Sequence, residues 1–364
     1  MKTIYIVALE SVPTRYTCQW LQGLPLALEA FAKDAGKDIR VVSIVGADEE
    51  QVVTPGAFLN FSGTNIWKSQ QAIEISRLFA SGEIKAGDKI LFTDAWNTTI
   101  IQTKYMAELL NIPVELHGIW HAGSYDPQDF LGRLIDDKRW SKSVERSIFH
   151  ALDYNIFATD FHIELFKEGV FGEEYAHELT ANDIAYKFVK SGQPHESMMD
   201  KLEPYAGAQK RNLILFPHRV APEKQPLIFL DLAKEMPEYE WVVCQDKKLS
   251  KDEYHEMLGA SKIVFSANLQ ETLGISAMEG VLVDSMPLVP DRLSYTEMYM
   301  EIFKYPSEWT KDYNAYLRHK PKLIEKIRDM MDNYDMYRDS LLVQDSALRF
   351  RYMTGTVMYK TLLK

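Results

Sequence analysis

Short, mainly apolar runs recur along this chain, at residues 3–9, 39–45, 89–94, 113–120 and 154–158, and again at 212–216, 241–244, 262–265 and 287–290. Mainly apolar runs of this length fit strands covered on both faces, which is the situation inside parallel sheets. Helical patterns fill the gaps; the clearest spans 18–33 and places Trp20, Leu21, Leu24, Leu28 and Phe31 on one face. Strands alternating with helices predict an α/β fold with doubly wound parallel sheets. The alternation lapses between about 169 and 205, where 191–194 reads as a turn and 203–207 as a linker. With 364 residues, the chain can form two such domains. The expected division is 1–195 and 196–340, with 341–364 a C-terminal helix returning to the first domain.

Bulk properties narrow the function. A net charge of −11 argues against nonspecific coating of nucleic acid, although it leaves room for a local basic groove. The two cysteines, Cys18 and Cys244, lie far apart with neither metal-ligand nor disulfide-framework spacing, which fits a reducing cytoplasm. The N-terminus runs directly into a strand, so no signal peptide is expected, and no apolar run reaches the roughly 20 residues of a membrane span. No Asp-x-Asp occurs, which argues against a metal-dependent site of that type.

The most informative stretch is 262–290. A strand enters a turn holding Glu271, Thr272, Leu273 and Gly274; an apolar helix starting near Ile275 carries Glu279, and a second strand follows. In an open α/β sheet such a turn lies at the carboxyl ends of the strands, where ligands bind and where helix N–H groups favour anions. Arg219 and Lys224 follow the strand at 212–216 and should lie along the same edge. Arg offers a fixed fork of donors and Lys a point charge, a pair suited to a diphosphate.

Arg219 and Lys224, followed by Glu271-x-Leu273-Gly274 and Glu279, resemble the donor half of the retaining family-4 glycosyltransferases of GT-B fold. The resemblance covers about 210–300 and implies two Rossmann-like domains facing a cleft. It also implies a nucleotide-sugar donor, with a UDP-sugar favoured over a GDP-sugar, and metal-independent transfer. By the same resemblance Arg219 and Lys224 contact the diphosphate, Glu271 the transferred sugar and Glu279 the ribose, while Thr272, Leu273, Gly274 and Ile275 form the donor turn. The family's usual Phe before the glycine is Leu273 here, and the segment between Cys244 and Lys262 is shorter than usual. The phrases 216–219 and 287–297 are similar to the tRNA-queuosine mannosyltransferases, whose acceptor is a modified base.

In the first half, His121 ends a strand where the resemblance places a histidine near the reacting sugar. Asp94 and Glu10 also end strands on the expected ligand edge. Where the family has glycines after the first strand, this chain offers Ser11, Arg15 and Tyr16 as acceptor contacts, with Asp94 and Trp120 beside them. Arg133, Lys138, Arg139, Lys142 and Arg146 cluster around Trp140 and read either as a solvated helix face or as a path for a phosphate backbone. The reading that results is a retaining glycosyltransferase acting as a monomer or homodimer. Its acceptor is a hydroxyl on a modified nucleic-acid base in DNA or tRNA, specifically 5-hydroxymethylcytosine in viral DNA. The alternatives are a glycan or small-molecule transferase of the same fold and a non-catalytic nucleotide-sugar or nucleic-acid binding module.

Overall fold

The computed structural model describes residues 2–10, 16–47, 60–175, 177 and 183–364. The chain forms two compact units, Met1–Glu196 with Thr354–Lys364, and Ser197–Met353. The expected start of the C-terminal segment at 341 falls inside the helix Tyr334–Arg351, which belongs to the second unit, so only the helix Thr356–Leu362 returns to the first.

The first unit is built on six strands: β1 Lys2–Val7, β2 Ile39–Ile44, β3 Lys89–Phe92, β4 Glu115–Ile119, β5 Tyr154–Phe157 and β6 Phe188–Lys190. They pair in parallel in the order β2-β1-β3-β4-β5-β6. Because side chains alternate across a strand, β1 feeds two cores. Tyr5 and Val7 join Phe92, Trp120, Phe149, Phe157 and Phe166 on one face. Ile4 and Ile6 join Leu91, Ile119 and Ile156 on the other, beneath Trp20, Leu24 and Leu28 of the helix Tyr16–Asp34 and Met358, Tyr359 and Leu362 of the C-terminal helix.

The second unit has five strands: β7 Leu213–Phe216, β8 Glu240–Val243, β9 Ile263–Phe265, β10 Met286–Pro290 and β11 Lys304–Tyr305. They are also parallel, in the order β11-β10-β9-β7-β8. In both sheets the second strand lies on one side of the first and the third on the other. The switch points are therefore β1/β3 and β7/β9, and ligands of open α/β sheets bind outside the carboxyl ends of such a pair.

Two edge strands, β6 and β11, were not expected from the sequence. The helix Phe61–Ser81 starts where the Asn60 side chain accepts from the Ser62 and Gly63 N–H groups at 3.0 and 3.1 Å. Between β8 and β9 stand only the helices Cys244–Lys247 and Lys251–Ala260. Among the described residues no helix is long and apolar enough to cross a membrane.

Candidate functional site

The switch point of the second sheet gathers the motif residues. After β7 the chain passes His218 and Arg219 into the 3-10 turn Pro222–Lys224; after β9 it passes Asn268 into the turn of Glu271 and Gly274. The Leu269 N–H donates to the Glu223 carbonyl at 2.7 Å and ties the two loops together. Lys224, whose side chain is only 8% exposed, donates from Nζ to the Gln270 carbonyl at 2.6 Å and to Glu271 Oε2 at 3.2 Å. Arg219 is one third exposed and donates from a guanidinium nitrogen to Glu223 Oε1 at 2.8 Å. Neither cation is a freely solvated surface group.

Glu271 remains partly open at 20% exposure. Burial pushes its carboxyl pKa up, but Lys224 and the Gly274 N–H outweigh it and hold the group below the ordinary carboxylate value. Asn268 adds a donor from Nδ2 to Oε2 at 3.3 Å. The result is a fixed, ionised carboxylate able to accept from a ligand hydroxyl.

Gly274 makes the turn possible. It caps the helix Ile275–Leu282 at φ +82°, and a Cβ there would lie 2.6 Å from the Tyr295 ring, so both the left-handed backbone and the close approach require glycine. Thr272 and Leu273 are buried in the turn and Ile275 opens the helix. One turn further on, Glu279 is also buried; its Oε2 accepts from the Tyr254 hydroxyl at 2.8 Å and its Oε1 lies 3.3 Å from Lys251 Nζ.

The phrase 287–297 turns out to brace this turn. Arg292 donates to the carbonyls of Ala267, Asn268 and Ser307 at 2.7, 2.7 and 2.9 Å, and to Thr310. Tyr295 packs against Gly274, accepts from Asn268 Nδ2 at 3.0 Å and shares a hydrogen bond with Ser266. In this structure the phrase supports the loop after β9.

The first unit presents a pocket at its own switch point. Its lining includes Glu10, Thr64, Trp67, Lys68, Gln71, Asp94 and Asn97. Asp94 is paired with Lys68 at 2.9 Å; burial pushes its pKa up, and Lys68 and His121 bring it below the usual range, which makes it a poor proton acceptor. His121 donates from Nε2 to the Thr93 carbonyl at 2.7 Å, which leaves Nδ1 as the acceptor for Gln193 Nε2 at 3.3 Å.

Trp120 does not belong to this pocket. It is fully buried, its indole N–H bonds to Asn155 at 2.9 Å, and Phe157, Phe166 and Tyr125 pack around its ring. No face is left to stack on an acceptor, so the expectation for Trp120 is corrected to a core role. Ser11 and Arg15 and the side chain of Tyr16 lie outside the described residues.

The basic cluster is largely engaged within the protein. Lys138 donates to the carbonyls of Gly132 and Ile135, Arg139 pairs with Asp137 at 2.9 Å, and Arg146 pairs with Glu174. Sequence reasoning passed over Lys251, Tyr254, Asn268 and Arg292. The capping signal Ser250-x-x-Glu253 marks the helix that carries the first two, but nothing local ties that helix to Glu279.

Two parallel-sheet Rossmann-like units followed by a helical C-terminus define a GT-B fold, and solved structures of that architecture match along the whole chain. The catalytic domain of starch synthase IV from Arabidopsis thaliana, bound to ADP and acarbose, is 12% identical; the match covers 100% of this chain and 98% of that one, with a TM-score of 0.59. Sucrose-phosphate synthase from Thermosynechococcus elongatus is 10% identical over 99% and 97% of the two chains, with a TM-score of 0.58. Anabaena HepE in complex with UDP-glucose is 12% identical over 100% and 98%, with a TM-score of 0.57. No family model and no curated protein matches the sequence.

Proposed function

We propose that the protein is a glycosyltransferase that takes a sugar from a nucleoside-diphosphate donor held at the β7/β9 switch point. The observation that carries this reading is the Lys224–Glu271 pair, a cation and an ionised carboxylate fixed side by side at the edge where α/β sheets bind ligands. The fold is shared with starch synthase IV bound to ADP and HepE bound to UDP-glucose, which supports a nucleotide-sugar donor. In this reading Arg219, Lys224 and the first N–H groups of the helix Ile275–Leu282 stabilise charge on the departing diphosphate, the preorganised electrostatics that often supply the largest catalytic term. Glu271 accepts from sugar hydroxyls and Glu279 from the ribose.

The bond between the anomeric carbon and the diphosphate oxygen breaks, and the acceptor oxygen forms the new bond. By the family resemblance the configuration is retained, and the acceptor proton leaves on the phosphate. His121 of the first unit is assigned near the reacting sugar, and Asp94, with Ser11, Arg15 and Tyr16, to the acceptor side. The acceptor taken into the test is a hydroxyl on a modified base, 5-hydroxymethylcytosine in DNA. Its support is the likeness to the tRNA-queuosine enzymes and the five of seven tryptophans that fall within residues 1–140; the net charge of −11 opposes it.

A screen of labelled UDP-, ADP- and GDP-sugars against hydroxymethylated DNA, plain DNA, tRNA and glycan acceptors tests both levels. Label transferred to hydroxymethylated DNA alone supports the full reading. Transfer only to a glycan or small molecule keeps the enzyme and rejects the nucleic-acid acceptor. Binding of the donor with neither transfer nor hydrolysis favours a non-catalytic module.

A further inference from the structure

Glu279 is 7% exposed at its side chain, and what surrounds it points to a preset receptor for a pair of adjacent hydroxyls. The capping box formed by Ser250 and Glu253 fixes the first turn of the helix Lys251–Ala260. Lys251 and Tyr254, three residues apart in that turn, therefore present one face, and both reach Glu279. The Tyr254 hydroxyl donates to Oε2 at 2.8 Å and Lys251 Nζ lies 3.3 Å from Oε1.

A carboxylate has about four acceptor positions, two on each oxygen. The protein donates once to each oxygen, so each oxygen keeps acceptor capacity for a ligand hydroxyl. Two neighbouring acceptor positions match a vicinal diol. Burial and the adjacent Glu279 raise the Tyr254 phenol well above its ordinary pKa, so it keeps its proton and stays an O–H donor to Glu279.

Resting on the donor reading above, we infer that Tyr254 is a positioning residue that orients Glu279 for the 2′,3′-diol of the donor ribose and so sets selection for ribonucleotides over deoxyribonucleotides. Lys251, 37% exposed, is the second contact and holds the other oxygen.

The test is calorimetric titration of UDP, ADP and GDP and of their 2′,3′-dideoxy counterparts into the wild-type chain and the Tyr254→Phe variant, which removes one oxygen from the buried ring. For whichever base binds, the wild type should prefer the ribonucleotide by about tenfold or more. Tyr254→Phe should lose most of that preference while its affinity for the dideoxy compound stays within about twofold. A merely structural tyrosine would weaken both ligands alike. A variant that keeps the wild-type preference overturns this inference alone, and so does a wild type with no preference. A wild type that binds none of the three diphosphates overturns the donor reading, and this inference with it.

Discussion

Lys224→Ala and Glu271→Ala are each expected to lower glycosyl transfer by at least ~100-fold, the scale for removing one preorganised charge partner from a transition state. Each acts on a different part of the donor. Lys224 supplies a cation that is already desolvated and aimed by the Gln270 carbonyl, so it needs no reorganisation when the diphosphate departs. Glu271 supplies an ionised acceptor, held below the usual carboxylate pKa despite its burial.

Both variants should remain folded. Without Lys224, Glu271 keeps donors from Asn268 and from the Gly274 backbone, and its partial exposure lets water replace the ammonium. Without Glu271, Lys224 keeps the two Gln270 oxygens. Initial rates with the donor identified by the screen, read beside circular dichroism, check this. Turnover near the wild-type level in either well-folded variant contradicts the assignment.

Arg292→Met is expected to destabilise the second unit strongly. The guanidinium is largely buried and serves the carbonyls of Ala267, Asn268, Ser307 and Thr310 together with the Thr310 hydroxyl. Methionine fills a similar volume and donates nothing. A buried acceptor stripped of its donor costs about 1–3 kcal/mol. Gln225 Nε2 still reaches the Ala267 and Thr310 carbonyls at 2.6 Å, so those of Asn268 and Ser307 bear the main loss. A total of roughly 3–5 kcal/mol follows, which for a unit of this size lowers the melting temperature by about 10 °C. The loop from Ala267 to Glu271 should loosen with it, so donor affinity should fall even below the melting transition. A thermal scan that shifts by less than about 2 °C would remove Arg292 from its bracing role.

The sequence was most legible where periodicity and turn chemistry coincide. Leu213–Phe216 and Ile263–Phe265 are apolar at every position because helices cover both faces of the sheet, and this is what placed Arg219, Lys224, Glu271 and Gly274 along one edge. Gly274 was readable as a turn residue; its second constraint, the Tyr295 ring, comes from a segment about twenty residues on and leaves no local mark. Lys304–Tyr305 is only two residues long and has no pattern to detect.

Trp120 shows a different limit. A residue just past a strand end can face a ligand or a core, and only the arrival of Phe157 and Phe166 from other elements decides between them. The segment 287–297 was read as a sign of the acceptor because its phrasing was distinctive. Its contacts add a role that the phrasing did not announce, a set of donors and aromatic surface needed by the loop after β9. Tyr254 escaped notice because a tyrosine in an amphipathic helix looks ordinary until Glu279, twenty-five residues away, is seen against it.

Binding of a nucleoside diphosphate at the carboxyl ends of β7 and β9 is tested most directly by amide hydrogen exchange with and without saturating UDP, ADP or GDP. One of these ligands should slow exchange in two separate segments, 217–225 and 268–280, and Lys224→Ala should erase both effects. Protection confined to the first unit, or protection of these segments that survives Lys224→Ala unchanged, would contradict binding there.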